Sequence, residues 1–451
     1  MMPPDKTDDS IPAHPVHDAY AALRNRNYQL FAGGWLPASI GLQMQNTALA
    51  WEIYERTQDP LALGLIGVFR ALPTLALALP AGQIADRIDR KRVLIATQIG
   101  FAIAGAALTT GSIAWERGAL GSGRGGLWMM FALIALTGCA RVFNGPSRSS
   151  LLPQMLPGGA SGLLFQNAVT WNASLFQLAA MLGPIAAGFL IHFVKAAWPV
   201  YVFMSVSCLW FAISAGFIRP HSPPPVNDGM WNAIRPRVLI PGMLEGARHV
   251  WREKTVFGAI TLDLFAVLLG GATALMPVYA QDILHVGPVG LGALRAAPFV
   301  GAFIMAVFMA HRRPIEQAGR ALLLSVAGFG AFTILFGVST NFWLSLACLA
   351  ILGAVDNISV VIRHLLVSVR TPDHLRGRVA AVNAVFIESS NELGGFESGL
   401  VAKFFGPVFS VVSGGIGTIL VVIGTACWLP ELRRLRGLYN AAEEAKKPSD
   451  K

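Results

Sequence analysis

The chain has 451 residues, 54% hydrophobic and only 13% charged, with a formal net charge of +10. A soluble domain carries about 25% charged residues, so the composition excludes an ordinary water-soluble enzyme, and the basic balance points to membrane orientation rather than to nucleic acid. The four cysteines, Cys139, Cys208, Cys348 and Cys427, all sit inside apolar runs without CxxC or metal-type spacing, and read as small packing residues.

Residues 1–28 contain no apolar core and are expected to form a cytoplasmic tail rather than a cleaved signal segment. Twelve apolar runs follow, at roughly 29–51, 61–81, 93–113, 126–146, 166–191, 198–218, 255–279, 288–310, 321–339, 342–369, 377–402 and 406–429. About 20 apolar residues are needed to cross a bilayer as helix, and none of these runs shows the two-residue alternation of a membrane β-strand. The predicted fold class is therefore all-α integral membrane, with twelve transmembrane helices as two six-helix pseudo-symmetric bundles. The first bundle covers 29–218, a cytoplasmic linker 219–254, the second bundle 255–429 and a cytoplasmic C-terminal tail 430–451. The linker is rich in proline. Its last part places Met243, Leu244, Ala247, Val250 and Trp251 on one helical face, which suits a helix on the membrane surface; a plain linker is the alternative.

Lys and Arg placement sets the orientation. With both termini inside, 26 of the 35 basic residues fall in cytoplasmic segments, 5 (Arg56, Arg117, Arg124, Lys195, Lys403) fall outside and 4 (Arg70, Arg141, Arg295, Arg363) fall within spans. Trp51, Trp115, Trp128, Trp198, Trp343 and Trp428 stand at span ends, as interfacial aromatic belts do.

The two halves resemble each other. An offset of 225 pairs Tyr54 with Tyr279, Gly67 with Gly292, Arg70 with Arg295 and Pro73 with Pro298. An offset of 215 pairs Gly138 with Gly353, Arg148 with Arg363 and Pro157 with Pro372. Parallel repeats with a site between them suit alternating access.

After the second run comes GQIADRIDRKR, which carries Gly82, Asp86, Arg87, Arg90 and Lys91 at the spacing G-x-x-x-D-R-x-x-R-[KR]. This resembles the loop signature of the major facilitator superfamily, with Asp89 where a glycine is usual. The resemblance implies an inner gate built on these five residues. In the fourth run, Arg141-Val-Phe-Asn144-Gly145 is similar to a pattern of proton-coupled drug antiporters. In the fifth, Ala179-x-x-x-Gly183-Pro184-x-x-Ala187-Gly188 is similar to their helix-packing pattern, with alanine at two glycine positions. Small residues four apart allow close helix approach, and a proline removes a backbone donor. Over 23–430 the chain looks most like the bacterial enterobactin-exporter group, on LRNRNYQLF, GPSRSSLLPQMLP and LRGRV.

Ionisable groups inside spans are costly and mark function. The candidates for proton coupling are Arg70, Arg141, Asp263, Arg295, Asp356, Glu388 and Glu392. Glu388 and Glu392 lie four apart on one face and should repel one another; a structural ion pair with an arginine of the other half is the alternative. Arg70 is expected to pair with one of them in one transport state. Asp263 reads as a carrier or as an interfacial cap, and Arg363 is expected to snorkel to the cytoplasm.

The expected function is export of a small amphipathic molecule, siderophore-like or drug-like, by a monomeric, proton-driven antiporter of a bacterial inner membrane. The alternatives are a nutrient importer of the same fold and a non-transporting receptor or assembly factor. No cofactor, metal, nucleic-acid partner or enzymatic activity is expected, since the chain has no GxxxxGK[ST] or HExxH and no GxSxG with a usable acid and base.

Overall fold

The computed structural model describes residues 18–119, 124–159, 163–220, 245, 247–312, 315–372 and 375–435, without the side chains of 78–87, 124, 163, 272 and 381. Among these residues the chain forms twelve long helices. We label them α1 (Arg26–Thr57), α2 (Pro60–Arg87), α3 (Arg90–Glu116), α4 (Arg124–Gln154), α5 (Leu163–Val194) and α6 (Trp198–Gly216). The second set is α7 (Lys254–Leu269), α8 (Gly287–Ala310), α9 (Ala318–Val338), α10 (Phe342–Arg370), α11 (Arg376–Phe405) and α12 (Pro407–Trp428). Helices are what lipid demands, because every backbone polar group must find its partner within the segment.

Ten of the spans are long and apolar enough to cross a membrane, counting Lys254–Ile283 as one. The two that are not, α1 and α11, carry Gln43, Gln45, Asn46 and Glu52, and Glu388, Asn391, Glu392 and Glu397. Polar groups have lowered their hydropathy: Asn46 and Glu392 meet Arg70 at the interface between the halves, and Glu52 is held inside the first half.

Local capping follows the sequence. Asn25 accepts from the backbone N–H of Tyr28 at the start of α1, and Asn341 from those of Trp343 and Leu344 at the start of α10. Asp89, which replaces the usual signature glycine, accepts from the N–H of Lys91 and starts α3.

The duplication is visible in the packing. In the first half α1 packs on α5 and α6, α2 on α4, and α3 on α4 and α6. In the second half the same neighbours recur six helices later: α7 on α11 and α12, α8 on α10, and α9 on α10 and α12. Matching glycines seat matching prolines, Gly138 against Pro73 and Gly353 against the carbonyl of Pro298. The halves meet through two symmetry-related contacts, α2 with α11 and α5 with α8.

Among the described residues that meeting is closest at one end. The largest apolar cluster joins both halves at the end away from the termini, bringing Tyr54, Ile66 and Ile191 together with Met276, Tyr279 and Leu294. At the terminal end the cores are separate: Phe31, Phe101 and Phe211 in one half, and Leu262, Leu322 and Leu366 in the other. Between described residues, no hydrogen bond or ion pair joins the halves at that end.

The structure differs from sequence expectation in two places here. The run 255–279 is not one helix: α7 stops at Leu269, and after Gly270 and Gly271 the chain passes through a 3-10 turn and a π-turn over Tyr279–Ile283. Paired glycines in an apolar run break it. The tryptophan belt is also only partial. Trp128, Trp343 and Trp428 are exposed, but Trp51 and Trp115 are buried in the inter-half core.

Of the surface-helix segment, Met243 and Leu244 lie outside the described residues. Val250 is buried against Val256, Ile260, Leu375 and Val379, so it packs on the second bundle, while Trp251 is exposed.

Candidate functional site

Midway along α2, Arg70 reaches across the interface. Its Nη1 lies 3.5 Å from Oε1 of Glu392 on α11, and its Nη2 donates to Oδ1 of Asn46 on α1 at 3.1 Å. The approach depends on Gly67, one turn before Arg70, where a Cβ would stand 2.5 Å from the backbone oxygen of Glu392. From α8, the repeat partner Arg295 donates to the backbone oxygen of Asn46 at 3.0 Å. Arg141 of α4 lies within electrostatic range of Arg70, Glu388 and Glu392. Neither Arg141 nor Glu388 has a hydrogen bond or ion pair with a described residue. Five of the seven coupling candidates thus gather at one place, with Asn46 at its centre. Only one ion pair there is closed, and three guanidinium groups face two carboxylates.

From the cluster toward the terminal end, polar side chains of α5 and α11 are left exposed among the described residues. On α5, Gln166, Thr170 and Ser174 are exposed at successive turns and Gln177 follows, donating to the carbonyl of Phe299 on α8 at 2.6 Å. On α11, Glu388 and Asn391 are exposed. A polar stripe on a membrane helix faces protein or water, not lipid. The α5 stripe was missed in the sequence because its residues carry no formal charge; the signal was there in the four-residue spacing.

Beyond the cluster the halves are latched. Tyr54 donates to the carboxylate of Asp282 in the π-turn, and Lys403 of α11 pairs with Asp59 at 2.8 Å. Gly188 abuts Pro288, and Pro184 abuts Gly292, so Gly183, Pro184 and Gly188 belong to the face of α5 that packs on α1 and α8. A further network also escaped sequence reading. Glu52 is 1% exposed and accepts from Ser112 at 2.6 Å and Tyr201 at 2.7 Å, while Arg56 pairs with it at 2.8 Å and lies over the Trp115 ring. It ties the end of α1, which carries Tyr54, to α3 and α6.

The other two coupling candidates lie elsewhere. Asp263 of α7 forms an ion pair with Arg363 of α10, and both are buried, at 8% and 3% exposure. Arg363 therefore does not snorkel: a buried partner on the neighbouring helix holds it within the bundle. Asp356, two turns before Arg363, lines a small cavity beside that pair.

Of the gate signature, the side chains of Gly82, Asp86 and Arg87 lie outside the described residues. Arg90 donates to the carbonyl of Ser150 on α4 at 3.2 Å. Lys91 donates to the carbonyls of Gly216 and Ile218 at 2.7 and 2.8 Å, capping the end of α6. Both contacts stay within the first half.

Comparison with known proteins agrees with this geometry. Residues 32–395 match the family profile "Major Facilitator Superfamily". The chain is 27% identical over 424 residues to the multidrug efflux pump Tap of Mycobacterium tuberculosis (strain ATCC 25618 / H37Rv), covering 89% of this chain and 92% of that one. It is 22% identical over 399 residues to the enterobactin exporter EntS of Escherichia coli O1:K1 / APEC, covering 88% and 90%. Among solved structures, the nucleoside transporter NupG superposes with a TM-score of 0.66 at 12% identity, covering 90% of this chain and 100% of that one. A bacterial homologue of the iron transporter ferroportin, in an inward-facing state, gives 0.66 at 15% identity, covering 90% and 99%. The chain is a membrane-spanning transporter that belongs to the Major Facilitator Superfamily.

Proposed function

We propose that this transporter exports a small amphipathic molecule from the cytoplasm by alternating access, as a proton antiporter of a bacterial inner membrane. The observation that carries the reading is the Arg70–Glu392 pair, which spans the interface between the halves beside exposed polar side chains of α5 and α11. With both termini cytoplasmic, those side chains would line a space that opens inward. Both full-length relatives named above are exporters by name, which supports the outward direction.

The cycle runs on the α2–α11 contact. In the inward-facing form Arg70 pairs with Glu392. When the halves rock and this contact parts, Glu392 loses its guanidinium in a poorly solvated place. A lone carboxylate there favours its protonated form, so it takes up a proton from outside. Rocking back restores the pair and expels the proton inward. Glu388, one turn away and without a partner among the described residues, and Arg141 set the field in which the pair opens. Arg90 and Lys91, with Gly82, Asp86 and Arg87, would close the inner end in the outward-facing form.

Inside-out membrane vesicles test the direction. A panel of amphipathic dyes and siderophores should include a compound that accumulates in vesicles containing the protein when respiration acidifies the lumen, and a protonophore should remove the gain. Accumulation only in right-side-out vesicles would establish an importer instead.

A further inference from the structure

The second half holds a polar pocket that the proposed cycle does not use. It lies between α7, α9 and α10 and is lined by Asp263, Ser325, Asp356 and Ser359, with Ala266, Val267, Val326 and Phe329 closing its walls. Its charges do not balance. Arg363 answers Asp263, but Asp356 has no hydrogen bond or ion pair with any described residue. Two carboxylates against one guanidinium leave one negative charge inside the bundle, which is expensive unless something neutralises it.

The second observation is independent of the acids. Ser359 is 2% exposed, one turn from Asp356 on α10, and its hydroxyl opens onto the cavity without a hydrogen-bond partner among the described residues. Ser325 donates to the carbonyl of Leu322, which leaves its oxygen lone pairs available to the cavity. The third concerns the backbone. α7 ends at Leu269, two residues past Val267, so the negative end of its dipole lies near the pocket, although the carbonyls of Val267, Leu268 and Leu269 face Gly394 and Gly414 of α11 and α12.

A proton on Asp356 would cancel the charge but leave the Ser359 hydroxyl and the cavity unfilled. A divalent ion would reverse the charge. We propose that this pocket binds a sodium ion, held by Asp356, Ser359, Asp263 and Ser325. The donor set is all oxygen, as a hard cation requires. A helix interrupted in mid-membrane beside such a set is a recurring way for transporters to hold a coupling cation. The inference stands apart from the Arg70–Glu392 reading, since none of these residues touches the inter-half pair. Occupancy would fasten α7 to α10 next to the break at Gly270, and so link sodium to the segment that carries Asp282 and the latch to Tyr54.

The test is binding of radioactive sodium to the purified full-length transporter by scintillation proximity. Wild-type protein should show saturable binding that unlabelled sodium chloride displaces and choline chloride does not. Asp356→Asn should abolish it, and Ser359→Ala, a change small enough to leave the fold intact, should weaken it by roughly tenfold or more. Sodium should also raise the wild-type unfolding midpoint, since a ligand bound only by the native state stabilises it; Ser359→Ala should lose that rise. Absence of saturable sodium binding to the wild type would overturn the proposal. So would binding that both variants leave unchanged. If sodium fails to bind and Asp356→Asn instead removes only the proton dependence of transport, the pocket is a protonation site and the sodium assignment is wrong.

Discussion

The two halves share a packing scheme and differ in where they put charge. Gly138 seats Pro73 in the first half, and Gly353 seats Pro298 in the second. Arg70 and its repeat partner Arg295 both reach Asn46, but at the next related pair, Arg148 and Arg363, the resemblance ends. Arg148 of α4 lies over the Trp35 ring of α1 at 4.5 Å, while Arg363 of α10 reaches the matching helix, α7, and forms an ion pair with Asp263. Seven residues earlier in each half stand Arg141, which faces the inter-half cluster, and Asp356, which faces into its own bundle. Duplication supplies a scaffold held by close backbone contact, and substitution then specialises the halves electrically. The first half presents Arg70 and Arg141 to the inter-half cluster and the second presents Arg295, Glu388 and Glu392; inside its own bundle the first half keeps Glu52 with Arg56, and the second keeps Asp263 with Arg363 and a spare carboxylate, Asp356.

Substitutions in matched pairs can break or sharpen that contrast, with stability read from reversible unfolding in detergent. The largest effect should come from Arg363→Ala, which strands the Asp263 carboxylate and should cost about 3–5 kcal/mol. The double variant Arg363→Met with Asp263→Asn should recover most of that loss, because the buried charge is gone. Next comes Gly353→Ala. A Cβ there runs into the backbone carbonyl of Pro298, which cannot step aside, and overpacking of this kind costs about 1–3 kcal/mol. Gly138→Ala should cost less, since its nearest neighbour is a proline ring atom at 3.2 Å. Arg148→Ala should cost about 0.5–2 kcal/mol, the worth of a cation over an aromatic ring. Equal losses for Arg148→Ala and Arg363→Ala would erase the distinction drawn between the halves. The smallest effect belongs to the half-exposed latch: Lys403→Met should cost at most about 1 kcal/mol, less at high salt.

Most of the spans were legible because lipid leaves an apolar chain no other economical shape, and the repeat because Arg70 and Arg295 sit in matching frames of glycine and proline. The pairing of Arg70 with Glu388 or Glu392 was expected from their shared depth together with the neighbouring second and eleventh spans that the superfamily resemblance implies; which of the two glutamates it meets was not legible. Depth does not reveal which face a side chain takes, and for that reason Arg363 read as snorkelling when its partner lay one helix away. Glu52 escaped because it sits one residue beyond the run 29–51, where a charge reads as loop. The break in α7 had a signal, Gly270-Gly271, hidden by the apolar residues on both sides. The pocket around Asp356 could not be seen at all, since it needs α7, α9 and α10 brought together.

The central claim is that the Arg70–Glu392 pair couples the halves to the proton gradient. The measurement that reaches it most directly is proton-driven transport in proteoliposomes, comparing wild type with Glu392→Gln, using a dye the wild type transports. The wild type should pump faster as the imposed pH gradient steepens, and the Gln variant should still bind the dye but carry it at a rate indifferent to that gradient. A Glu392→Gln protein that keeps the full pH-gradient dependence of the wild type would contradict the account.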